Sequence, residues 1–171
     1  MAAMSARSPL PFDPVDEARR HWSGHGWDDA AEGMAAVTSI MRAQAIVLAR
    51  VEAVLRPLGL TFARYEVLML LHFSGRGSLP LSRIGERLQV HPASVTNAVD
   101  RLEATGLVER TPHPTDRRTT LAALTPAGRD LATKATEALN AEVFTRPGLA
   151  AADLRTLVDV LATMRRDAGD F

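Results

Sequence analysis

Residues 81–124 have the sequence LSRIGERLQVHPASVTNAVDRLEATGLVERTPHPTDRRTTLAAL. The spacing of the apolar residues predicts two short helices, a tight turn between them and a β-hairpin behind them. The second helix begins at Pro92, because the fixed φ of proline and its missing N–H suit the first helical position. It ends before Gly106, since glycine is common just past a helix end. This arrangement predicts a DNA-binding unit.

The second helix has one apolar face and one small polar face. The apolar positions recur at helical spacing, at Val95, Ala98, Val99 and Leu102. The polar face carries Ala93, Ser94, Thr96, Asn97, Asp100 and Arg101. A helix that is slim and polar on its outer side fits the major groove of DNA.

The polar face predicts a role for each of its side chains. We expect Asn97 to hydrogen-bond to a base edge, and Ser94 and Thr96 to contact bases or phosphates. Ala93 can contact a thymine methyl group, whereas Arg101 lies a turn further along and suits a phosphate. The alternative is a solvated helix face without a binding role, and the hairpin that follows favours DNA.

The predicted hairpin has strands over residues 107–110 and 119–124 and a loop that contains two prolines and two arginines. Proline stiffens the loop and pushes its tip away from the body of the protein. We expect Arg118 to enter the minor groove, with Asp116 orienting it and Arg117 as the second candidate. The alternative is a surface ion pair with no role in binding.

The composition excludes several classes of protein. The 171 residues include no cysteine and only eight aromatic residues, which excludes thiolate metal sites and favours a mainly helical protein. No uninterrupted run of about 18 apolar residues is available to span a membrane, and residues 1–10 lack the apolar core of a secretory signal. We therefore expect a cytoplasmic protein that does not contact a membrane.

The formal net charge is zero at pH 7, whereas a DNA-binding protein usually carries an excess of positive charge. Residues 81–124 contain six arginines and five acidic residues. The low net charge therefore leaves open a second function, an adaptor of the same fold that binds a partner protein and does not bind DNA.

Catalytic, cofactor and metal sites are not expected. No nucleophile is paired with a base along the chain, and no Gly-rich phosphate loop occurs. His21 and His25 have the spacing of a metal-binding pair, but no third ligand lies nearby. The protein is therefore not expected to be an enzyme.

The chain divides into four segments: an N-terminal arm with a short helix, a long first helix, the DNA-binding lobe and the C-terminal helices, over residues 1–27, 28–60, 61–125 and 126–171. Asp13-Pro14 opens the short helix, Thr61 caps an apolar helix over 62–73, and Thr125 caps the first C-terminal helix. The long terminal helices are too apolar to be solvated, which predicts that they form the contact of a homodimer.

Four stretches together resemble the multiple antibiotic resistance regulator (MarR) family of winged helix-turn-helix transcription factors. They are LTFARYEVL at 60–68, LSRIGERL at 81–88, PASVTNAVDRLE at 92–103, and Asp116-Arg117-Arg118 closed by Leu124-Thr125. Two positions depart from the family pattern: Gln89 replaces a frequent glycine, and His91 replaces the usual Ser, Asp or Asn cap.

The resemblance implies a mainly α fold, a winged helix-turn-helix whose N- and C-terminal helices interlock in a homodimer. Two recognition helices would enter successive major grooves of an inverted-repeat operator in double-stranded DNA, and the wings would enter the flanking minor grooves. The resemblance also implies a repressor without a cofactor, released from DNA by a small aromatic or acidic molecule.

An effector site is predicted beneath the helix over 62–73. Arg64 would pair with a carboxylate on the ligand, while Tyr65, Met69 and His72 would line the site. Trp22 or Trp27 would fold over the ligand. The alternative is that Arg64 is an exposed helix residue and His72 a histidine satisfied in the core.

Overall fold

The computed structural model describes residues 9–116 and 119–171, so Arg117 and Arg118 lie outside the described residues. The chain forms two compact units, Met1–Ala49 and Arg50–Phe171. In chain order the elements are α1 (Pro14–Gly24), α2 (Asp28–Leu55), a 3₁₀ turn (Arg56–Leu58), α3 (Phe62–Phe73), β1 (Ser78–Pro80), α4 (Leu81–Leu88), α5 (Pro92–Ala104), β2 (Val108–Pro112), β3 (Thr120–Leu124), α6 (Pro126–Leu139), a π-helical turn (Asn140–Phe144) and α7 (Ala151–Asp167).

The first unit contains α1 and most of α2. The Asp13 side chain caps α1 by accepting from the backbone N–H of Val15 at 2.8 Å, as Asp13-Pro14 predicts. The helix continues to Gly24. The rings of Trp22 and Trp27 then pack edge to face, with their centroids 5.4 Å apart, so the two tryptophans contact each other within this unit.

Helix α2 and the turn after it, Asp28–Leu58, are long and apolar enough by length and composition to cross a membrane. The sequence analysis expected no membrane-spanning segment because Arg42 interrupts the apolar run of this helix. By length and composition, that expectation is wrong. A charged side chain in the middle of a span is costly in a bilayer. An interface helix of a protein outside the membrane meets the same criteria, so the helix is weak evidence for a membrane span.

The second unit is built around α3, which is buried on the side of Val67, Leu68 and Leu71. Thr61 caps this helix as predicted, because its side chain accepts from the backbone N–H of Arg64. Helices α5 and α6 pack onto α3 through buried apolar side chains, among them Val99 and Leu139. The core thus lies among the DNA-binding lobe and the first C-terminal helix.

Helices α4 and α5 form the predicted helix-turn-helix. Gln89 adopts the left-handed conformation, with φ 53°, which is the region that favours glycine. His91 caps α5, because its Nδ1 accepts from the backbone N–H of Ala93 at 3.1 Å. Gln89 and His91 depart from the family pattern, yet Gln89 still forms the turn and His91 still caps the helix. A Cβ added at Gly85 would lie 3.4 Å from Val95 Cγ2, so the helices cross closely there.

Three antiparallel strands form a sheet in the order β1-β3-β2. The hairpin pairs Val108 with Leu124 and Pro112 with Thr120, so β2 continues two residues past its predicted end. The sequence predicts no strand at β1, because three residues are too few to show an alternating pattern. Pairing with β3 creates that strand.

Gly128 lies where the start of α6 packs on the base of the hairpin. A Cβ at this position would lie 2.0 Å from the Leu107 carbonyl oxygen and 2.9 Å from Leu124 Cδ1. We expect Gly128→Ala to lower the free energy of unfolding by about 1–3 kcal/mol, because backbone must move to admit the methyl group. Urea denaturation at fixed protein concentration measures this change.

Gly33→Ala is the matched control, since Gly33 lies inside α2 and nothing lies within 4 Å of an added Cβ. This variant should be unchanged or more stable by about 0.5–1 kcal/mol, because alanine loses less entropy in a helix. Equal stability of the two variants would contradict the close contact at Gly128.

Candidate functional site

The polar face of α5, defined by Ala93, Ser94, Thr96, Asn97, Asp100 and Arg101, is exposed along its whole length. The opposite side is held in the core by Val95, Val99 and Leu102, which are 2%, 0% and 0% exposed. Burial of this apolar stripe fixes the rotation of the helix about its axis. The structure therefore brings together all five predicted DNA-contacting residues of α5 on one accessible surface.

The Asn97 amide is available to a ligand, because no hydrogen bond engages it among the residues that the structure describes. Thr96 differs, since its hydroxyl donates to the Pro92 carbonyl oxygen at 3.1 Å and keeps only its acceptor capacity for a partner. Asn97 thus offers both a donor and an acceptor, the combination that recognises an adenine edge.

Arg64 of α3 lies beside this polar face. It lines a cavity of about 560 Å³, the α3–α5 cavity, together with Thr61, Ala63, Ser94, Asn97, Ala98 and Arg101. Its Nε donates to Thr61 Oγ1 at 3.1 Å, which directs the guanidinium along the start of α3. In the described part of the chain neither Arg64 nor Arg101 has a carboxylate partner. Two unpaired guanidinium groups therefore border the polar face.

Arg110 of β2 joins the hairpin to α5. Its Nη1 bonds to Glu103, its Nη2 lies 2.5 Å from Asp100 Oδ1, and its backbone N–H donates to Glu103 Oε1 at 3.1 Å. Partial burial lowers the pKa of Arg110, but the hydrogen bonds to Asp100 and Glu103 raise it by more. The guanidinium therefore stays charged, and its single positive charge offsets part of the negative charge of the two carboxylates.

The tip of the hairpin is organised by His113 and Asp116. His113 Nδ1 accepts from the Asp116 backbone N–H at 3.2 Å, and the Asp116 carboxylate accepts from Thr119 Oγ1 at 2.7 Å. Asp116 and Thr119 therefore contact each other at the tip of the hairpin. The roles of His113 and Thr119 were not predicted, although an Asp with a Thr three residues later is a known turn signal.

The predicted effector residues do not share one site. Tyr65 and Met69 line a cavity of about 380 Å³, the α3–α6 cavity, with Phe62, Glu66, Leu70, Phe73, Leu88, Thr136 and Phe144. Arg64 lies instead on the α3–α5 cavity, because positions 64 and 66 point about 200° apart around a helix. Trp22 and Trp27 belong to the first unit, and their place over a ligand stays a prediction.

The structure agrees with neither of the two interpretations of His72, as a residue that lines the ligand site or as a histidine satisfied in the core. It is half-buried, and its buried Nδ1 has no hydrogen-bond partner among the described residues. Its ring contacts Phe73 edge to face, with centroids 5.7 Å apart. The residue is absent from the lining of the α3–α6 cavity, and it is not a satisfied core histidine.

Glu66 is the charged residue of the α3–α6 cavity, and the sequence analysis did not single it out. Burial raises the pKa of the Glu66 carboxyl, because a low-polarity environment disfavours its charged form. Across the cavity, Thr136 Oγ1 donates to the Ala132 carbonyl oxygen at 2.8 Å and lies 3.0 Å from the Tyr65 hydroxyl. Either hydroxyl can be the donor in that second bond.

Comparison with known proteins identifies relatives of the chain. A model of the MarR family matches residues 58–119. The crystal structure of Sco5413, a MarR family transcriptional regulator from Streptomyces coelicolor, is 51% identical, with a TM-score of 0.75, and the match covers 82% of this chain and 97% of that chain.

Two further solved structures are similar and hold bound molecules. Sco3205, a MarR family transcriptional regulator from Streptomyces coelicolor in complex with DNA, is 25% identical with a TM-score of 0.70, over 80% of this chain and 88% of that chain. CouR from Rhodococcus jostii RHA1, bound to p-coumaroyl-CoA, is 29% identical with a TM-score of 0.64, over 73% and 87%. The chain spans about half the length, 53% and 47%, of two curated HTH-type transcriptional regulators of Bacillus subtilis that it matches.

The pairing of Arg110 with Glu103 predicts a measurable coupling between hairpin and helix. In a double-mutant cycle with Arg110→Met and Glu103→Gln, we expect a coupling energy of about 0.5–1 kcal/mol in the free energy of unfolding. The arginine side chain is only 24% exposed, so solvent screens this pair less than an ordinary surface pair.

Arg83 and Glu86 of α4 provide the control pair, with side chains 67% and 58% exposed and a separation of 2.9 Å. The cycle of Arg83→Met with Glu86→Gln should give a coupling below about 0.3 kcal/mol. If the two cycles give the same coupling, Arg110 does not fasten the hairpin to α5.

Proposed function

Because the chain belongs to the MarR family of transcriptional regulators, we propose that it is a dimeric, sequence-specific repressor whose affinity for DNA is controlled by a small molecule. The observation that carries the proposal is the exposed polar face of α5. The buried stripe of Val95, Val99 and Leu102 orients this face, and the ion pairs of Arg110 connect the helix to the hairpin. Sco3205, a similar structure solved in complex with DNA, supports DNA as the ligand.

We assign the polar face to the major groove of double-stranded DNA. Asn97 contacts a base edge, Ser94 and Thr96 contact bases or phosphates, and Ala93 contacts a thymine methyl group. Arg101 and Arg64 contact phosphates, which their lack of carboxylate partners in the described residues supports. Unpaired guanidinium groups beside a polar helix add affinity that does not depend on sequence.

We assign the tip of the hairpin to the minor groove. Arg118 would enter the groove, Arg117 is the second candidate, and Asp116 would orient them from the turn that it closes with Thr119. Narrow minor grooves concentrate negative potential, which favours an inserted guanidinium.

The long terminal helices are proposed as the dimer interface. Large apolar side chains stand exposed on α2 and on α7, among them Val37, Ile40, Met41, Ile46, Leu157, Val158, Val160 and Met164, at 38–68% exposure. Apolar area of this extent is stable in water only when covered. A second copy of the chain would cover it and would place two α5 helices on an inverted-repeat operator, with half-sites roughly 10 base pairs apart. This use of α2 also supports a cytoplasmic protein that does not contact a membrane.

Effector control is proposed from two observations. The α3–α6 cavity is an apolar site of the size that ligands occupy, and CouR is a structural relative solved with a bound small molecule. Release of the repressor by such a ligand is the expected regulation.

The DNA assignment is tested on an operator recovered by selection from genomic fragments. Asn97→Ala should relax the preference at one position in each half-site by about 1–3 kcal/mol, because the lost contact is to a base. Arg101→Ala should weaken binding to all sequences alike and make the slope of log affinity against log salt shallower by about one.

Arg118→Ala should weaken binding by an amount that depends on flanking A·T content.

Arg155→Ala, which removes an exposed arginine of α7, is the control and should leave operator affinity unchanged. Titrations at several salt concentrations separate the repressor from the adaptor, since a dimer that neutralises about 6–10 phosphates loses affinity steeply with salt. A flat salt response, or unchanged affinity in all three variants, would contradict the assignment and favour the adaptor.

The dimer is tested by sedimentation of Val158→Asp, since Val158 is 64% exposed in the single chain. A charge in an apolar interface should shift the dimer toward monomer, because the carboxylate would be buried without a partner. Thr163→Asp adds the same charge on α7 away from its apolar stripe and should remain dimeric. Equal behaviour of the two variants would remove α7 from the interface.

A further inference from the structure

Building on the proposed effector-controlled repressor, we propose that the α3–α6 cavity selects a small aromatic ligand that carries a protonated amine and rejects an aromatic carboxylate. This is the opposite charge to the acidic ligand expected from Arg64 in the sequence. The placement of Arg64 and Glu66 on opposite sides of α3 carries the inference.

The lining of the cavity is aromatic and aliphatic with one charged group. Phe62, Tyr65, Phe73 and Phe144 contribute rings, and Met69, Leu70 and Leu88 contribute apolar side chains. The rings of Phe62 and Tyr65 stack with their centroids 6.2 Å apart. Of the described residues that line the cavity, Glu66 is the only carboxylic acid, and none is Lys, Arg or His. The volume of about 380 Å³ lies near the lower end for ligand sites and suits a compact ligand with one or two rings.

A ligand carboxylate finds no cation in this cavity. Arg64 is turned to the α3–α5 cavity, where its Nε is held by Thr61 at 3.1 Å. The hydroxyl groups offer little in its place, since Thr136 and Tyr65 are hydrogen-bonded to each other at 3.0 Å and Thr136 also lies 2.8 Å from the Ala132 carbonyl oxygen. An anion would therefore lose its hydration beside the like charge of Glu66, and both effects oppose binding.

A protonated amine would be attracted by Glu66, the group that repels a ligand carboxylate. Glu66 is half-buried and has no ion pair among the described residues, so an ammonium group would supply its missing partner. Burial already raises the pKa of this carboxyl, which reflects the cost that such a partner would offset. Phe62, Phe73 and Phe144 add ring faces that attract a cation.

The experiment uses the full-length protein without DNA and three probes of similar shape: 2-phenylethylamine, 2-phenylethanol and phenylacetate. Isothermal titration calorimetry at pH 7 measures their affinities. The amine should bind about tenfold or more tighter than the alcohol, and phenylacetate should bind more weakly than the alcohol, because charged hydrogen bonds contribute more than neutral ones.

Glu66→Gln keeps the shape of the side chain and removes its charge. In this variant the amine should lose about tenfold in affinity and bind like the alcohol, whose own affinity should change little. Glu137→Gln on α6, an exposed carboxylate outside the cavity lining, should leave all three affinities unchanged. Ligand-detected NMR with the same probes extends the measurement to weak binding.

Three results would overturn the inference: phenylacetate binding as tightly as the amine, amine affinity unchanged by Glu66→Gln, or no probe binding at millimolar concentration. The last result would mean that a second copy of the chain covers the cavity. Operator binding by the protein without probe is measured separately. Loss of that binding with the amine preference intact would reject the repressor and leave the ligand class standing, whereas the reverse pattern would reject the ligand class alone.

Discussion

Burial of Val95, Val99 and Leu102 is the constraint on which the binding surface depends. These side chains fill the core against α3 and the hairpin, and so they fix the rotation of α5 about its own axis. A rotation that brought the polar face inward would bury Asn97 and Arg101 without partners and would expose three large apolar side chains. The packing energy of the lobe therefore also sets which groups of α5 are exposed to solvent. No separate interaction is needed to orient the recognition face.

Pairing explains how a protein with a formal net charge of zero can present a cationic surface. Asp100 belongs to the polar face and Glu103 lies three residues further along α5, and both bind Arg110. In the described residues Arg64 and Arg101 have no such partner. The charge that matters for a phosphate backbone is the charge left after local pairing, and around α5 that charge is positive. The same pairs hold the hairpin to the helix, so one arginine removes repulsion and fixes geometry together.

Most of the helices could be predicted from the sequence because their signals are local. Thr61 and Thr125 cap their helices as expected, and the apolar spacing of α5 gives its buried face. β1 could not be predicted, since its three residues become a strand only by pairing with β3. The placement of Arg64 could have been predicted from helical spacing, which puts it on the opposite side of α3 from Glu66 and Met69. A ligand site that joins Arg64 to Met69 conflicts with that spacing. The turn made by His113 depends on contacts between loop residues that periodicity does not describe.

The two sides of α3 suggest how an effector and DNA would compete through one rigid element. Glu66, Met69 and Phe73 face the α3–α6 cavity, while Arg64 at the start of the same helix faces the α3–α5 cavity with Asn97 and Arg101. The buried stripe of Val67, Leu68 and Leu71 packs α3 tightly in the core, and packed helices respond to pressure by shifting as units and not by bending. A ligand that displaces α3 toward the polar face would move Arg64 against the phosphates that we propose it contacts. Coupling of this kind needs only a difference in ligand affinity between two positions of the helix.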